Sequence, residues 1–512
     1  MTTITTGNRN TIVLNEGQEL LVVGDAFASA VAYKLLDSSG TASSRSYAIA
    51  ASTSQTIGPF SDTTNIMFVC SAGTVTVTKK QSSATAVKVS TDASGNVLGL
   101  LNPVTGSAIS LGTSGGSGIS GFTVTNPSGL ARWRLALADA DTVVPHITVA
   151  GHSIAFGQWS NNTGTETEAI ANTTAFAGRL RTYLARLFSS NESGFLNPDM
   201  ITSSTGFTQT TSLAGCAGFA RYLGANATPG TNKVRWTTPV ACTSIELYYF
   251  ETNGSQGGSA TTGFKYIVDG AGDYATDSAG STAVAYAASV ESYKKVTITG
   301  LSNAVHTLDV YQTASSGNAI MVGIRYYSAV GVSVGKFGRP GWTSGDILGN
   351  SGASGQNNAT ALQQARILAG YNVASPALVI LMIVRNDWVL QGTQSSTPTV
   401  TATNLTSIIN TVVAGGACVL IVADPDDPVN VSAPTQYGAN LLADYKNAAK
   451  ALATTNSHMC YVDVGDIWGT YTQANAAGLQ ANSSVHPSRK GHADIGRAIY
   501  KLIGHDVLAV TG

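Results

Sequence analysis

The chain has 512 residues, enough for several domains with cores of their own, and its charged residues reach only 11% with a formal net charge of −1, so no basic face for nucleic acid is implied. Aromatic residues are 7% while Gly, Ser, Thr and Ala dominate, a composition of strand-rich and loop-rich proteins. No continuous apolar run reaches transmembrane length, the amino terminus lacks the charged and apolar regions of a signal peptide, and five scattered cysteines (Cys70, Cys216, Cys242, Cys418, Cys460) fit neither a fully paired disulfide framework nor zinc spacing.

Residues 1–80 show short alternating runs (11–14, 19–23, 65–69, 74–78) between Gly, Ser and Asp turns, and read as a small all-β module. Residues 81–126 are Gly/Ser/Thr-rich, with Ser114-Gly115-Gly116-Ser117-Gly118 among them, and read as a linker carrying a short hairpin. From 127 to 205 a β-branched run, Ile147-Thr148-Val149-Ala150, ends in Gly151-His152-Ser153. A helix over 173–188 follows, with Phe176, Leu180, Leu184, Leu187 and Phe188 on one face. Residues 206–327 carry strand-like runs at 244–250, 264–268, 295–299, 306–311 and 319–324 between Gly-rich turns, the pattern of an inserted β-sandwich. Trp236, Tyr248, Tyr249, Tyr326 and Tyr327 either stack on sugars there or fill the sandwich core, and the alternation favours core filling. Cys216 and Cys242 share this segment, and free buried thiols are the simpler reading.

Residues 328–512 return to α/β alternation. Strand-like runs at 328–334, 377–384, 417–423 and 459–462 alternate with helical patterns near 359–369, 403–413 and 435–454. With the strand before Ser153 this predicts a doubly wound, three-layer α/β/α parallel-sheet domain in two parts, 127–205 and 328–512, interrupted by the sandwich. Ser153 and Gly338 are 185 residues apart, whereas a βαβ crossover needs only about 30, so the surplus forms the insert.

Four chemistry-bearing residues fall at successive element ends. Gly-x-Ser at a strand end delivers a hydroxyl to the carboxyl edge of a sheet, where open α/β folds bind ligands. Gly335-Lys336-Phe337-Gly338-Arg339-Pro340-Gly341 reads as a turn whose N–H groups face an oxyanion; Arg385-Asn386-Asp387 offers a side-chain amide; and Val485-His486-Pro487-Ser488 precedes an amphipathic helix with Ile495, Ala498, Ile499, Leu502 and Ile503 on one face.

This order resembles the SGNH (GDSL-like) hydrolase family, whose four blocks contribute a Ser, a Gly, an Asn and a His. The resemblance implies Ser153 as nucleophile, His486 as general base, and an oxyanion hole from the N–H groups of Ser153 and Gly338 with the Asn386 amide, without metal or other cofactor. Two positions depart from the family's pattern: His152 stands where it has Asp before the serine, and Ser483 where it has Asp before the histidine. Asp424, Asp426 and Asp427, after the strand at 417–423, are the substitutes for that acid, although an Asp-Pro cluster after a strand is ordinarily turn chemistry.

A small β-module, a Gly/Ser-rich connector and then an esterase resembles the layout of bacteriophage tail fibres and tailspikes. It implies a virion protein, homo-oligomeric and by analogy trimeric, whose first module docks on other tail proteins and whose enzyme removes O-acetyl or similar short acyl groups from a bacterial surface polysaccharide. Nucleic acid and membrane insertion are not expected. The competing reading is a non-catalytic glycan- or receptor-binding protein on a degenerate hydrolase scaffold, motivated by His152 and Ser483.

Overall fold

The computed structural model describes residues 122–504 apart from 164–165, 210–220, 225, 252–262, 287–291, 316, 349–368, 395 and 482–484, and before residue 122 chiefly the strands. The chain divides into two compact units, Met1–Gly116 with Leu508–Gly512, and Ser117–Val507. In the first, two four-stranded antiparallel sheets and one antiparallel strand pair, Lys88–Thr91 with Val97–Leu101, are formed. No helix among the described residues is long and apolar enough to cross a membrane.

The second unit is organised by an 11-stranded mixed sheet. Its parallel centre sets Ser333–Gly338, His146–Gly151, Leu378–Met382, Cys418–Ala423 and Met459–Asp463 side by side in that order, with the short Ser193–Leu196 parallel on the outer flank of Ser333–Gly338. Leu378–Met382 and Cys418–Ala423, at the middle of the sheet, are continuous apolar runs because both faces are covered. Alternate residues of one strand feed different cores, as a period of two requires. Leu378 and Ile380 meet Trp133, Phe176, Leu180 and Ile499 of the helices on one face; Val379 and Leu381 meet Leu405, Ile408 and Tyr445 on the other.

Several elements differ from the sequence reading. The run at 328–334 is a connection whose end begins the strand Ser333–Gly338, so Gly335 and Gly338 lie inside a strand rather than in a turn. The helix expected over 173–188 is two, Glu168–Thr174 and Phe176–Leu187, broken at Ala175, which is extended. The pattern at 435–454 becomes helical only over Leu442–Thr455. The helix expected near 359–369 falls almost wholly outside the described residues.

The inserted segment is not a self-contained sandwich. Ser203–Thr205, Lys233–Thr237, Thr307–Gln312, Phe264–Val268 and Thr282–Val284 form a five-stranded sheet of their own. Ala319–Tyr327, however, pairs with both Ser244–Glu251 and Ser193–Leu196, which makes the second layer continuous with the parallel sheet. At nine residues it is long enough to reach both neighbours. Trp236, Tyr248, Tyr249 and Tyr326 are buried, so four of the five aromatics fill core; only Tyr327 is partly exposed. Cys242, Cys418 and Cys460 are free and buried, while Cys216 lies outside the described residues.

Candidate active site

Parallel register aligns the ends of three central strands: Gly151 stands opposite Gly338 on one side and Met382 on the other. The chain then turns immediately into the short helix Ser153–Phe156. Gly151 has φ +131, and a Cβ there would stand 1.8 Å from the Met382 carbonyl oxygen, so only glycine permits this turn. Gly338 packs against the helix itself, where a Cβ would meet the Phe156 nitrogen at 2.2 Å. Lys336, on the same strand, places its ammonium 4.2 Å from the centre of the Phe156 ring.

His486 Nε2 lies 2.8 Å from Ser153 Oγ, across 333 residues of sequence. The histidine precedes the helix Arg489–Gly504 and is held by backbone bonds on both sides of it: Ala481 donates to the His486 carbonyl, and Ser488 donates to Leu479. His492 Nε2 bonds the Gln158 carbonyl at 3.0 Å and the Arg489 amide donates to Asn162 Oδ1, tying this helix to the loop that follows the serine. Burial pushes the His486 imidazole down to about 3, helped by the charge of Arg385 and opposed by Asp424. The ring is therefore neutral at ordinary pH, with a lone pair available to accept the serine proton.

His152 and Asp424 are both fully buried, and His152 Nε2 lies 2.8 Å from Asp424 Oδ1. His152 Nδ1 accepts the Ile154 N–H, which assigns the ring proton to Nε2, the nitrogen nearer the carboxylate. Burial alone would raise the Asp424 carboxyl; His152, the Arg385 amide and the Arg385 charge outweigh it and hold the group below the usual range. Asp427 pairs with Arg385 Nε at 2.7 Å, and Asp426 lies 3.7 Å from Lys446. Thus, of the three aspartates considered as substitutes for the missing acid, Asp424 holds the histidine beside the nucleophile, Asp427 holds Arg385 and Asp426 faces Lys446. Ser483 lies outside the described residues.

Asn386 is in the short helix Val384–Val389, just beyond the strand end, and its Nδ2 donates to the Trp342 carbonyl at 2.9 Å, which brings the 339–342 turn beside it. One amide hydrogen remains for another acceptor. Asp387 braces this corner: it accepts from the Ser344 amide and hydroxyl and from Thr401, and burial raises its carboxyl to about 6. Because Arg339 donates its N–H to Gly151, the alternation of a parallel ladder turns the Gly338 N–H toward the opposite strand edge. The serine, histidine, asparagine and glycine thus stand at one carboxyl edge. The sequence reading missed the His152–Asp424 and Arg385–Asp427 pairs; Pro-flanked aspartates after a buried strand were the signal, but which partner each would meet was not in it.

Comparison with known proteins bears on this arrangement. Residues 323–493 match the model of the GDSL-like Lipase/Acylhydrolase family, a stretch that holds Gly338, Asn386 and His486 and leaves Ser153 outside. A solved structure titled "Peptidoglycan O-acetylesterase in action, 5 min" is similar over 77% of this chain and 100% of its own, at 13% identity and a TM-score of 0.51. A family two carbohydrate esterase from Clostridium thermocellum, solved in complex with cellohexaose, matches over 60% of this chain and 98% of its own at 13% identity, with a TM-score of 0.24. A search of curated proteins returns no match. The family match and the fold, with the serine–histidine contact, support a serine esterase carrying a GDSL-like acylhydrolase domain.

Proposed function

We propose that this chain is a serine O-acetylesterase acting on a carbohydrate polymer. The single observation that carries the reading is the 2.8 Å contact between Ser153 Oγ and a neutral His486 Nε2. Ser153 attacks the ester carbonyl while His486 takes its proton; collapse of the tetrahedral intermediate returns that proton to the departing sugar oxygen and leaves an acetyl-serine. Water, deprotonated by His486, then releases acetate and restores the serine. The Ser153 N–H and the spare Asn386 hydrogen hold the oxyanion. The third donor comes from the 339–341 turn: the Gly338 N–H, where the family resemblance puts it, is turned away from the Ser153 strand, and Gly341, at φ +81 with open space where a Cβ would stand, is the glycine amide of that turn.

His152, Asp424 and Arg385 position the nucleophile and set the electrostatics of the base. Turnover of 4-nitrophenyl acetate by the full chain, compared with Ser153→Ala and His486→Ala, tests the assignment: both variants should lose it, and wild-type rates in either would overturn the reading. The virion placement rests on the layout of the chain alone. In this proposal the Met1–Gly116 unit attaches an oligomeric tail protein whose substrate is a bacterial surface polysaccharide. Mass spectrometry of purified phage particles is the test, and absence of the chain from them would remove that part.

A further inference from the structure

One aromatic side chain next to the esterase site is not accounted for by packing. Five of the six tryptophans, Trp133, Trp236, Trp342, Trp388 and Trp468, are between 0% and 4% exposed, whereas Trp159 is partly exposed. Its indole N–H has no hydrogen-bond partner among the described residues and is not sealed from solvent.

Trp159 stands between the two halves of the catalytic pair. It follows Ser153 across the one-turn helix Ser153–Phe156, and the Gly157 and Gln158 N–H groups just before it both donate to the Ser153 carbonyl. From the other side, the helix that follows His486 meets the same loop: His492 Nε2 bonds the Gln158 carbonyl at 3.0 Å, and the Arg489 amide donates to Asn162 Oδ1 at 2.8 Å. Trp159 is thus bracketed by the contacts that join the serine's loop to the segment carrying the general base.

The backbone there is under constraint. Trp159 has φ +66, a left-handed conformation that a bulky side chain rarely adopts. The other left-handed corners of this loop are Gly157 at +101 and Asn162 at +69, residues suited to it. Both neighbours of Trp159 are fixed inward, Gln158 through its carbonyl to the buried His492 and the buried Ser160 through a 2.6 Å contact with Thr174 Oγ1, and this holds the tryptophan in its conformation. A turn needed only for its shape would carry Gly or Asn at the middle corner as well. Strain retained beside a nucleophile points to use of the side chain itself.

The indole offers a flat apolar surface, one donor and no charge. Its complement is a ligand with an apolar face rimmed by acceptor oxygens, which is the chemistry of a pyranose; an acyl chain would leave Nε1–H without an acceptor. We propose that Trp159 is the sugar platform of the esterase site, stacking on the pyranose that bears the acetyl ester and donating Nε1–H to one of its oxygens. The inference rests on the esterase reading of Ser153 and His486 and names the group that presents the ester to them.

The test is acetate release from glucose pentaacetate, whose esters sit on a pyranose, and from ethyl acetate, which has no ring, by the full chain and by Trp159→Ala, Trp159→Phe and Trp159→Gly. Trp159→Ala should lower the ratio of kcat/KM for glucose pentaacetate to that for ethyl acetate about tenfold, chiefly by raising KM for the sugar ester, and Trp159→Phe should restore most of it. Glycine accepts the left-handed corner and keeps the turn, so Trp159→Gly should show the same loss as Trp159→Ala. A wild-type ratio in either of these two variants, or a loss equal for both esters, would overturn the platform. No release from either ester by the wild type would remove the esterase reading and the platform with it; release from both at a ratio indifferent to Trp159 would remove the platform alone.

Discussion

Asp424→Asn separates two roles that a buried carboxylate near a catalytic histidine can play. Asp424 lies 2.8 Å from His152 Nε2, not against His486, and both partners are fully buried. Asparagine preserves size and keeps one acceptor, so His152 retains an uncharged partner while the charge is lost. A charge-assisted contact replaced by a neutral one costs about 1–3 kcal/mol of stability. The catalytic loss follows from looser placement of Ser153 by the His152–Ile154 turn, for which about 10- to 100-fold in kcat is expected. A residue that oriented the base directly would cost about 10⁴-fold. A second signature comes from electrostatics: Asp424 is the one group opposing the downward shift of His486, so removing its charge should lower the acidic limb of kcat/KM further. The assay is 4-nitrophenyl acetate hydrolysis across pH with Tm measured in parallel. A loss near 10⁴-fold at unchanged Tm would make Asp424 the histidine's acid, and unchanged kcat and Tm would refute the positioning argument outright.

Other outcomes follow from the same geometry. In the wild type, kcat/KM should hold its plateau well below pH 6.5 and fall only toward pH 4 and lower, because His486 is depressed to about 3; an acidic midpoint near 6.5 would contradict the desolvated base. Asp387 is raised to about 6, so its contribution to stability is present below about pH 4 and is lost as pH rises through 6, on the order of 3 kcal/mol; Asp387→Asn should flatten that part of the urea-midpoint profile while weakening the Ser344 and Thr401 contacts. Gly338→Ala should displace the Ser153 helix and cut kcat more than it raises KM, and a wild-type kcat would show that the close approach to Phe156 is easily relieved. Deletion of residues 206–327 should abolish folding, since Ala319–Tyr327 belongs to the main sheet; a soluble, cooperatively melting product would show that the segment is dispensable.

The central strands were readable because their chemistry is local. Leu378–Met382 and Cys418–Ala423 are apolar runs bounded by polar turns, and a strand covered on both faces needs nothing more to announce itself. The errors cluster where tertiary packing overrides local signals. Gly335 and Gly338 read as a turn because glycine ordinarily marks one, yet Gly338 is in a strand because the Ser153 helix sits against it. The insert read as a separate sandwich because its alternation is that of any two-layer β structure. Nothing in the pattern of Ala319–Tyr327 tells that one of its partners is Ser193–Leu196, more than a hundred residues earlier.

The site shows the same division between what is local and what is not. Which residue types serve acyl transfer is written in short motifs, so Ser153, Asn386 and His486 could be named from the chain and ordered by resemblance. Which carboxylate serves which imidazole depends on three-dimensional neighbourhoods that no spacing encodes: Asp424 is 272 positions from His152 and only 62 from His486, yet it lies against the former. The substitution of histidine for the aspartate usual before the serine therefore need not signal decay. With Asp424 beneath it, His152 brings a buried acid to the same corner through one more residue and keeps the Ile154 amide satisfied. A degenerate scaffold gives no reason for that pair to stay buried and matched, because a carboxylate sealed from water is costly unless its partners remain.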